Sequence, residues 1–138
     1  MIKKLIVSTI MLPIAGFAVA STPLTYGKPA KLTGTMEVVR STHPNPVYKG
    51  ERQPAIRLDK PISVIIDTYQ EDDIDDTEKN VKLIQLFSAE KRTDRLYAKL
   101  LASKGKHVTI NCSELLHATN GHHTTAVLCT IDSARFGK

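Results

Sequence analysis

The chain has 138 residues, no tryptophan, 4 Tyr, 3 Phe, 2 Cys and a formal net charge of +5. That length suits one small domain with a modest core. The charge is mild and no stripe of Arg or Lys is interleaved with aromatics, which argues against a nucleic-acid partner; the few rings leave little platform for stacking bases or sugars.

The first element is a leader. Met1-Ile2-Lys3-Lys4 is a short cationic stretch, Leu5 to Ala20 is uncharged and mostly apolar, and Ala18-Val19-Ala20 places small residues where a signal peptidase reads. The pattern predicts a cleavable secretory signal over residues 1–20. A spanning helix needs about 20 apolar residues; this run is shorter and holds Pro13 and Gly16. No cysteine follows it, so a lipid anchor is not indicated. The mature chain from Ser21 is expected to be soluble, periplasmic or secreted, with no membrane insertion after cleavage. Without Lys3 and Lys4 it carries 17 basic residues against 14 acidic, a net of +3.

Residues 21–30 read as a flexible lead-in to a single domain over 31–138. Ala30 to Val39 alternates, with Leu32, Gly34, Met36 and Val38 on one face, which predicts a half-buried strand. Residues 41–54 form a turn-rich connection punctuated by Pro44, Pro46, Gly50 and Pro54. Ala55 to Asp67 holds a second strand, broken near Asp59-Lys60-Pro61 and β-branched over Ile62–Ile66. Residues 67–78 form an acidic loop. Val81 to Phe87 is a third strand, with Val81, Leu83 and Gln85 on one face and Lys82, Ile84 and Leu86 on the other. Leu96, Tyr97, Leu100 and Leu101 then fall at helical spacing, with Thr93 as N-cap and Gly105 as the stop. His107–Leu116 and His122–Ile131 are two further strands around Asn120-Gly121.

The order strand, strand, strand, helix, strand, strand predicts a mainly β protein: a small five-stranded OB-like barrel with one helix between strands 3 and 4. The alternative is an α+β open sheet with one helix on it.

Cys112 and Cys129 both lie in the exported part, and an even count in an oxidising compartment predicts a disulfide. Asn-Gly is a strong two-residue hairpin signal, because a type I′ turn needs φ > 0 at both central residues. With Asn120 and Gly121 at the turn, Thr119 faces His122, His117 faces Thr124, and Cys112 faces Cys129 in a non-hydrogen-bonded pair that a bridge can span. This register puts Glu114 on the core face with Ile110, Cys112 and Leu116. A β-bulge near Ser113-Glu114 relieves that conflict but shifts the register.

His117, His122 and His123 crowd the hairpin tip around Asn120. These four are the candidate ligand or partner contacts. His117 and His122 share a face as diagonal neighbours, so they are the candidate metal ligands. A zinc site takes three protein ligands or more; His43 and Asp67 are the unanchored candidates for a third. The plainer alternative is a set of solvated side chains at an exposed turn, or a pH-sensitive surface, since imidazole titrates near neutrality.

Asp67, Glu71, Asp72, Asp73, Asp75, Asp76 and Glu78 concentrate half of the mature acidic residues in one loop. No glycine lies between Gly50 and Gly105, which excludes an EF-hand; weak calcium binding by an irregular loop and a merely solvated loop stay as alternatives. The remaining charge layout is dipolar and suited to orienting a protein partner. No Gly-x-Ser-x-Gly elbow, Walker loop or His-Glu-x-x-His occurs, and a Glu114/His117 acid–base pair falls on opposite faces. The expectation is a chain without catalytic residues and without a cofactor.

Several stretches together resemble a known family: Leu58-Asp59-Lys60-Pro61-Ile62, Asn80-Val81 with Gln85-Leu86, Gly105-Lys106-x-Val108, and Leu116-His117-Ala118-x-x-Gly121-His122-His123-Thr124-x-x-Val127-Leu128. They are similar to the bacterial family called domain of unknown function 4431, over about residues 30–131. The resemblance implies an exported protein with a small β-rich domain and brings no activity. Cys112 stands where a glycine is usual in that family's fourth strand, which makes the disulfide a feature of this chain.

The function expected from these readings is an exported, non-enzymatic binding module that contacts a protein or a cell-envelope component. An inhibitor or immunity protein is one form of it. The alternative is a metal- or ligand-responsive protein using His117 and His122.

Overall fold

The computed structural model describes residues 6–11, 22–66 and 77–137. Ala18–Ala20, where cleavage is expected, lie outside the described residues, as do Asp67 and most of the acidic loop. No helix among the described residues is long and apolar enough to cross a membrane.

The elements are β1 (Leu24–Thr25), β2 (Ala30–Arg40), β3 (Arg52–Ile65), β4 (Glu78–Phe87), α1 (Asp94–Leu101), β5 (His107–His117) and β6 (Val127–Phe136). The sheet runs β1-β3-β2-β5-β6-β4, and β4 also pairs with β3, so the five long strands close into a barrel. All pairs in the ring are antiparallel except β4 with β6, which is parallel. This is the expected five-stranded OB-like barrel. The helix lies between the third and fourth long strands.

Alternation explains most of it. Leu32, Met36, Ile56, Ile84, Leu86, Val108, Ile110, Leu115, Val127 and Ile131 turn inward, and Leu100 of α1 joins the same core. Gly34 pairs with Leu58 on one side and with Val108 on the other. A Cβ there would lie 2.0 Å from the Arg57 carbonyl oxygen, so only glycine lets the strands approach this closely.

The break expected at Asp59-Lys60-Pro61 does not end the strand. β3 runs through it as a register shift against β4 between Arg57 and Ile62. Pro61 is tolerated because the β2–β3 pairing ends at Gly34 and Leu58, leaving no ladder partner for the missing N–H. The same irregularity reverses the phase of β4. Val81 is buried, but beyond it Ile84 and Leu86, read on the face opposite to Val81, enter the core. Leu24 and Thr25, within the segment read as a lead-in, pair in parallel with Val64 and Ile65 of β3.

α1 is preceded by a 3-10 turn over Lys91–Thr93. Thr93 stands at the N-cap position but makes no capping bond; its hydroxyl donates to the Glu90 carbonyl at 2.8 Å. Gly105, with φ of 85°, lies four residues beyond the helix, where its N–H donates to the Met36 carbonyl at 2.8 Å and fastens the connection to β2.

The predicted register of β5 and β6 is corrected by three residues. His117 pairs with Val127, Leu116 with Leu128 and Leu115 with Cys129. Neither Asn120 nor Gly121 has a positive φ, so the type I′ turn does not form, and residues 118–126 make a longer loop. The bulge weighed for Ser113-Glu114 is present: the ladder shifts on both sides of Cys112. Beyond it Leu115 is fully buried, while Glu114 and Leu116 are only half-buried. The disulfide forms all the same. Cys112 pairs with Ile131 and Cys129 with Leu115, both side chains face inward, and the bulge brings their Cα atoms to 5.5 Å with an S–S bond of 2.06 Å.

Candidate functional site

Two loops meet on one side of the barrel. The first, residues 41–51, joins β2 to β3. It is tied at its base by Ser41 N–H to the Glu51 carbonyl (2.9 Å) and Gly50 N–H to the Ser41 carbonyl (2.8 Å). Within it, Val47 N–H donates to Asn45 Oδ1 at 3.0 Å, and Asn45 N–H donates to His43 Nδ1 at 3.0 Å. The prolines at 44 and 46 limit the chain to few conformations, so a compact loop results.

The second loop, residues 118–126, is organised by side chains. Asn120 Oδ1 accepts from His122 N–H at 2.9 Å, and the Asn120 carbonyl accepts from His123 N–H at 3.1 Å. His123 Nδ1 accepts from Thr119 N–H at 2.8 Å and from Asn120 N–H at 3.4 Å. Burial lowers the pKa of His123 below the ordinary imidazole value, and the neighbouring His122 lowers it further. The half-buried, accepting ring is thus biased toward its neutral form.

The loop is strapped to the outer face of β3 and β4 by two glutamines. Gln53 and Gln85 are almost fully buried. The Gln53 side-chain amide donates to the His122 carbonyl at 2.9 Å, and its Oε1 accepts from the Thr124 hydroxyl at 2.5 Å. Gln85 Oε1 accepts from Thr124 N–H at 2.7 Å, and Gln85 N–H donates to the Thr125 hydroxyl at 2.9 Å. Burial without loss of hydrogen bonds is what makes two uncharged amides stable there.

So held, His122 stacks on His43 with ring centroids 4.4 Å apart and planes 29° from parallel. Tyr48 meets both edge-on, at 4.2 Å from His122 and 5.3 Å from His43. His43 presses against Gly121: a Cβ there would lie 3.0 Å from the imidazole Cδ2. Tyr48 and the exposed Val47 carry the surface beyond the stack.

His117 lies elsewhere. It packs edge-on against Tyr26, with ring centroids 5.7 Å apart, and its Nε2 is 3.8 Å from Glu78 Oε1. The pairing of His117 with His122 therefore gives way to contacts of each with other residues, since it rested on the shorter turn. His43, raised only as a third ligand, is the residue that meets His122. No group of three or more His, Cys, Asp or Glu side chains that could hold a metal occurs among the described residues. A surface concavity of about 580 Å³ lies away from the stack beside the bulge, lined by Lys31, Asn111, Ser113 and Asp132.

Residues 83–135 match the family model of a domain of unknown function (DUF4431). The resemblance seen in the sequence holds over that span. It takes in Gln85, both cysteines and the whole 118–126 loop, while His43, Tyr48 and Gln53 lie N-terminal to it. No curated protein and no solved structure matches the chain.

Proposed function

We propose that the chain is an exported, non-enzymatic binding module whose contact surface is the paired loops 41–51 and 118–126. OB-like barrels bind ligands through the face of their second and third strands and through the loops after strands 1 and 4. Here those are β3 with β4, and the two loops that meet. The observation that carries the reading is the His43–His122 stack, with Tyr48 on its edge. It joins two loops 79 residues apart into one surface with ring faces, amide groups and an apolar tip at Val47. A protein or a cell-envelope component is the partner this surface suits, and blocking an exported hydrolase is one use of it. The support is analogy from fold together with this geometry; the disulfide is compatible with an extracellular setting.

The test is affinity capture from envelope extract with three forms of the chain. Wild type and a remote control, Lys99→Ala, are expected to retain the same specific partner. Tyr48→Ala/His122→Ala is expected to lose it. The His122 carbonyl, which accepts from the Gln53 side-chain amide at 2.9 Å and from that of Gln85 at 3.5 Å, belongs to the backbone and survives that change. Equal retention by the double variant, or no specific partner for wild type, overturns the reading.

A further inference from the structure

Each of the two facing loops is closed on an imidazole nitrogen that acts as an acceptor. Asn45 N–H points at His43 Nδ1, and Thr119 N–H and Asn120 N–H point at His123 Nδ1. A ring nitrogen that accepts carries no proton, so in both rings the proton of the neutral form sits on Nε2. The next proton has only Nδ1 to occupy. It converts the acceptor to a donor and sets N–H against N–H in the loop concerned. His122 adds to the effect at His123, where the neighbouring imidazole disfavours a further positive charge.

We propose that acid opens this surface: protonation of His43 and His123 unfastens both loops, so the face is assembled near neutral pH and released as pH falls toward about 5. The proposal rests on the reading of the loop pair as the contact surface. The ring neighbours of these imidazoles are Tyr48 and the imidazoles themselves, none of them a carboxylate. His43 is faced by Tyr48 and His122, and His123 by His122. The strands beneath present Gln53 and Gln85, which are uncharged. No carboxylate forms an ion pair with any of the three among the described residues; the histidines so placed are His107, with Asp59, and His117, with Glu78.

The test is an NMR titration of the ¹⁵N-labelled chain from about pH 7.5 to about pH 5, which needs no partner. The amides of Asn45, Thr119 and Asn120 are expected to follow the ring titrations, and their exchange protection to fall about fivefold, the worth of one hydrogen bond. The amide of Gly137, bonded to the His107 carbonyl, is expected to stay constant. His43→Asn and His123→Asn each put an amide oxygen near the place of Nδ1 and take up no proton; each is expected to abolish the response of its own loop. If the rings titrate in wild type while the three amides stay still, the proposal fails, and it fails equally if both variants respond as wild type does. Partner capture is read separately. A partner lost on Tyr48→Ala/His122→Ala with no acid response sinks the switch alone, and an acid response with no partner sinks the contact surface alone.

Discussion

Gln53 donates its side-chain amide to the carbonyl oxygen of His122 at 2.9 Å, across 69 positions of sequence. This bond and its counterpart from Gln85 decide where the 118–126 loop lies. Without them a nine-residue loop at a strand end would project into solvent. With them it folds back over β3 and β4 and carries His122 to His43.

Replacing Gln85 by Leu tests that account. The change keeps the bulk and removes the acceptor of Thr124 N–H, leaving a part-buried donor unpaired. Such a loss costs about 1–3 kcal/mol. The expected outcome in urea denaturation is a lower midpoint with an unchanged slope, together with faster hydrogen exchange at Thr124. An unchanged midpoint would mean that the strap contributes nothing.

Much of the barrel was legible because its strands obey a period of two. β2 carries Leu32, Gly34 and Met36 inward as the alternation requires, and the change of period at Leu96 marked the helix. What the pattern hid are the places where an extra residue shifts the phase. After Val81 the core face of β4 passes to Ile84 and Leu86, and after Ser113 that of β5 passes to Leu115. Glu114, misplaced on the core face, was the sequence's signal of the second. The loop site was hidden for another reason. Asn120-Gly121 has the turn preference of a tight hairpin, but buried amides on distant strands outweigh a local preference of this size. Gln85, an uncharged polar residue amid the apolar Leu83, Ile84, Leu86 and Phe87, was the available hint.

Gly34→Ala should be the most disruptive single substitution of a small residue. Its Cβ would stand 2.0 Å from the Arg57 carbonyl oxygen and 2.9 Å from the Leu58 Cα, all backbone. The strands would have to part where β2 pairs on both sides. At Gly27 and Gly50 a Cβ meets nothing within 4 Å, so the cost is that of a positive φ alone, about 1 kcal/mol. Thermal melting of the three variants should rank Gly34→Ala lowest by a wide margin, with the other two close to each other.

Reduction of the disulfide should loosen the barrel. Cys112 and Cys129 are 17 positions apart, and closing a loop of that size is worth about 3 kcal/mol in the chain-entropy model. A domain of this size has about 5–15 kcal/mol in total. Because the bridge sits in the core at a bulge, its loss also frees the β5–β6 ladder to slip. The expected result is a melting temperature lowered by reductant in wild type and insensitive to it in Cys112→Ser/Cys129→Ser. Equal melting with and without reductant would remove the bridge from the account of stability.

The pH dependence of stability follows from two groups of opposite kind. Burial, aided by His122, keeps the His123 pKa in the folded chain below the ordinary imidazole value. Between the two values the unfolded chain binds more protons, so stability rises with pH there. The contribution is complete above about pH 6.5. It declines as pH falls through that value and levels off once His123 is protonated in the folded chain too. Glu37 acts lower on the scale. The hydrogen bond from Arg57 is the largest influence on its carboxyl and holds it below the ordinary carboxylate value. Its contribution is complete above about pH 4.3 and is lost as pH falls through the lowered value. The pair is exposed to solvent, and screening keeps this second effect small. Melting temperatures measured from about pH 8 to about pH 3 should therefore fall in two steps. His123→Asn should flatten the upper step and Glu37→Gln the lower. An upper step that persists in His123→Asn would assign it to a group other than His123.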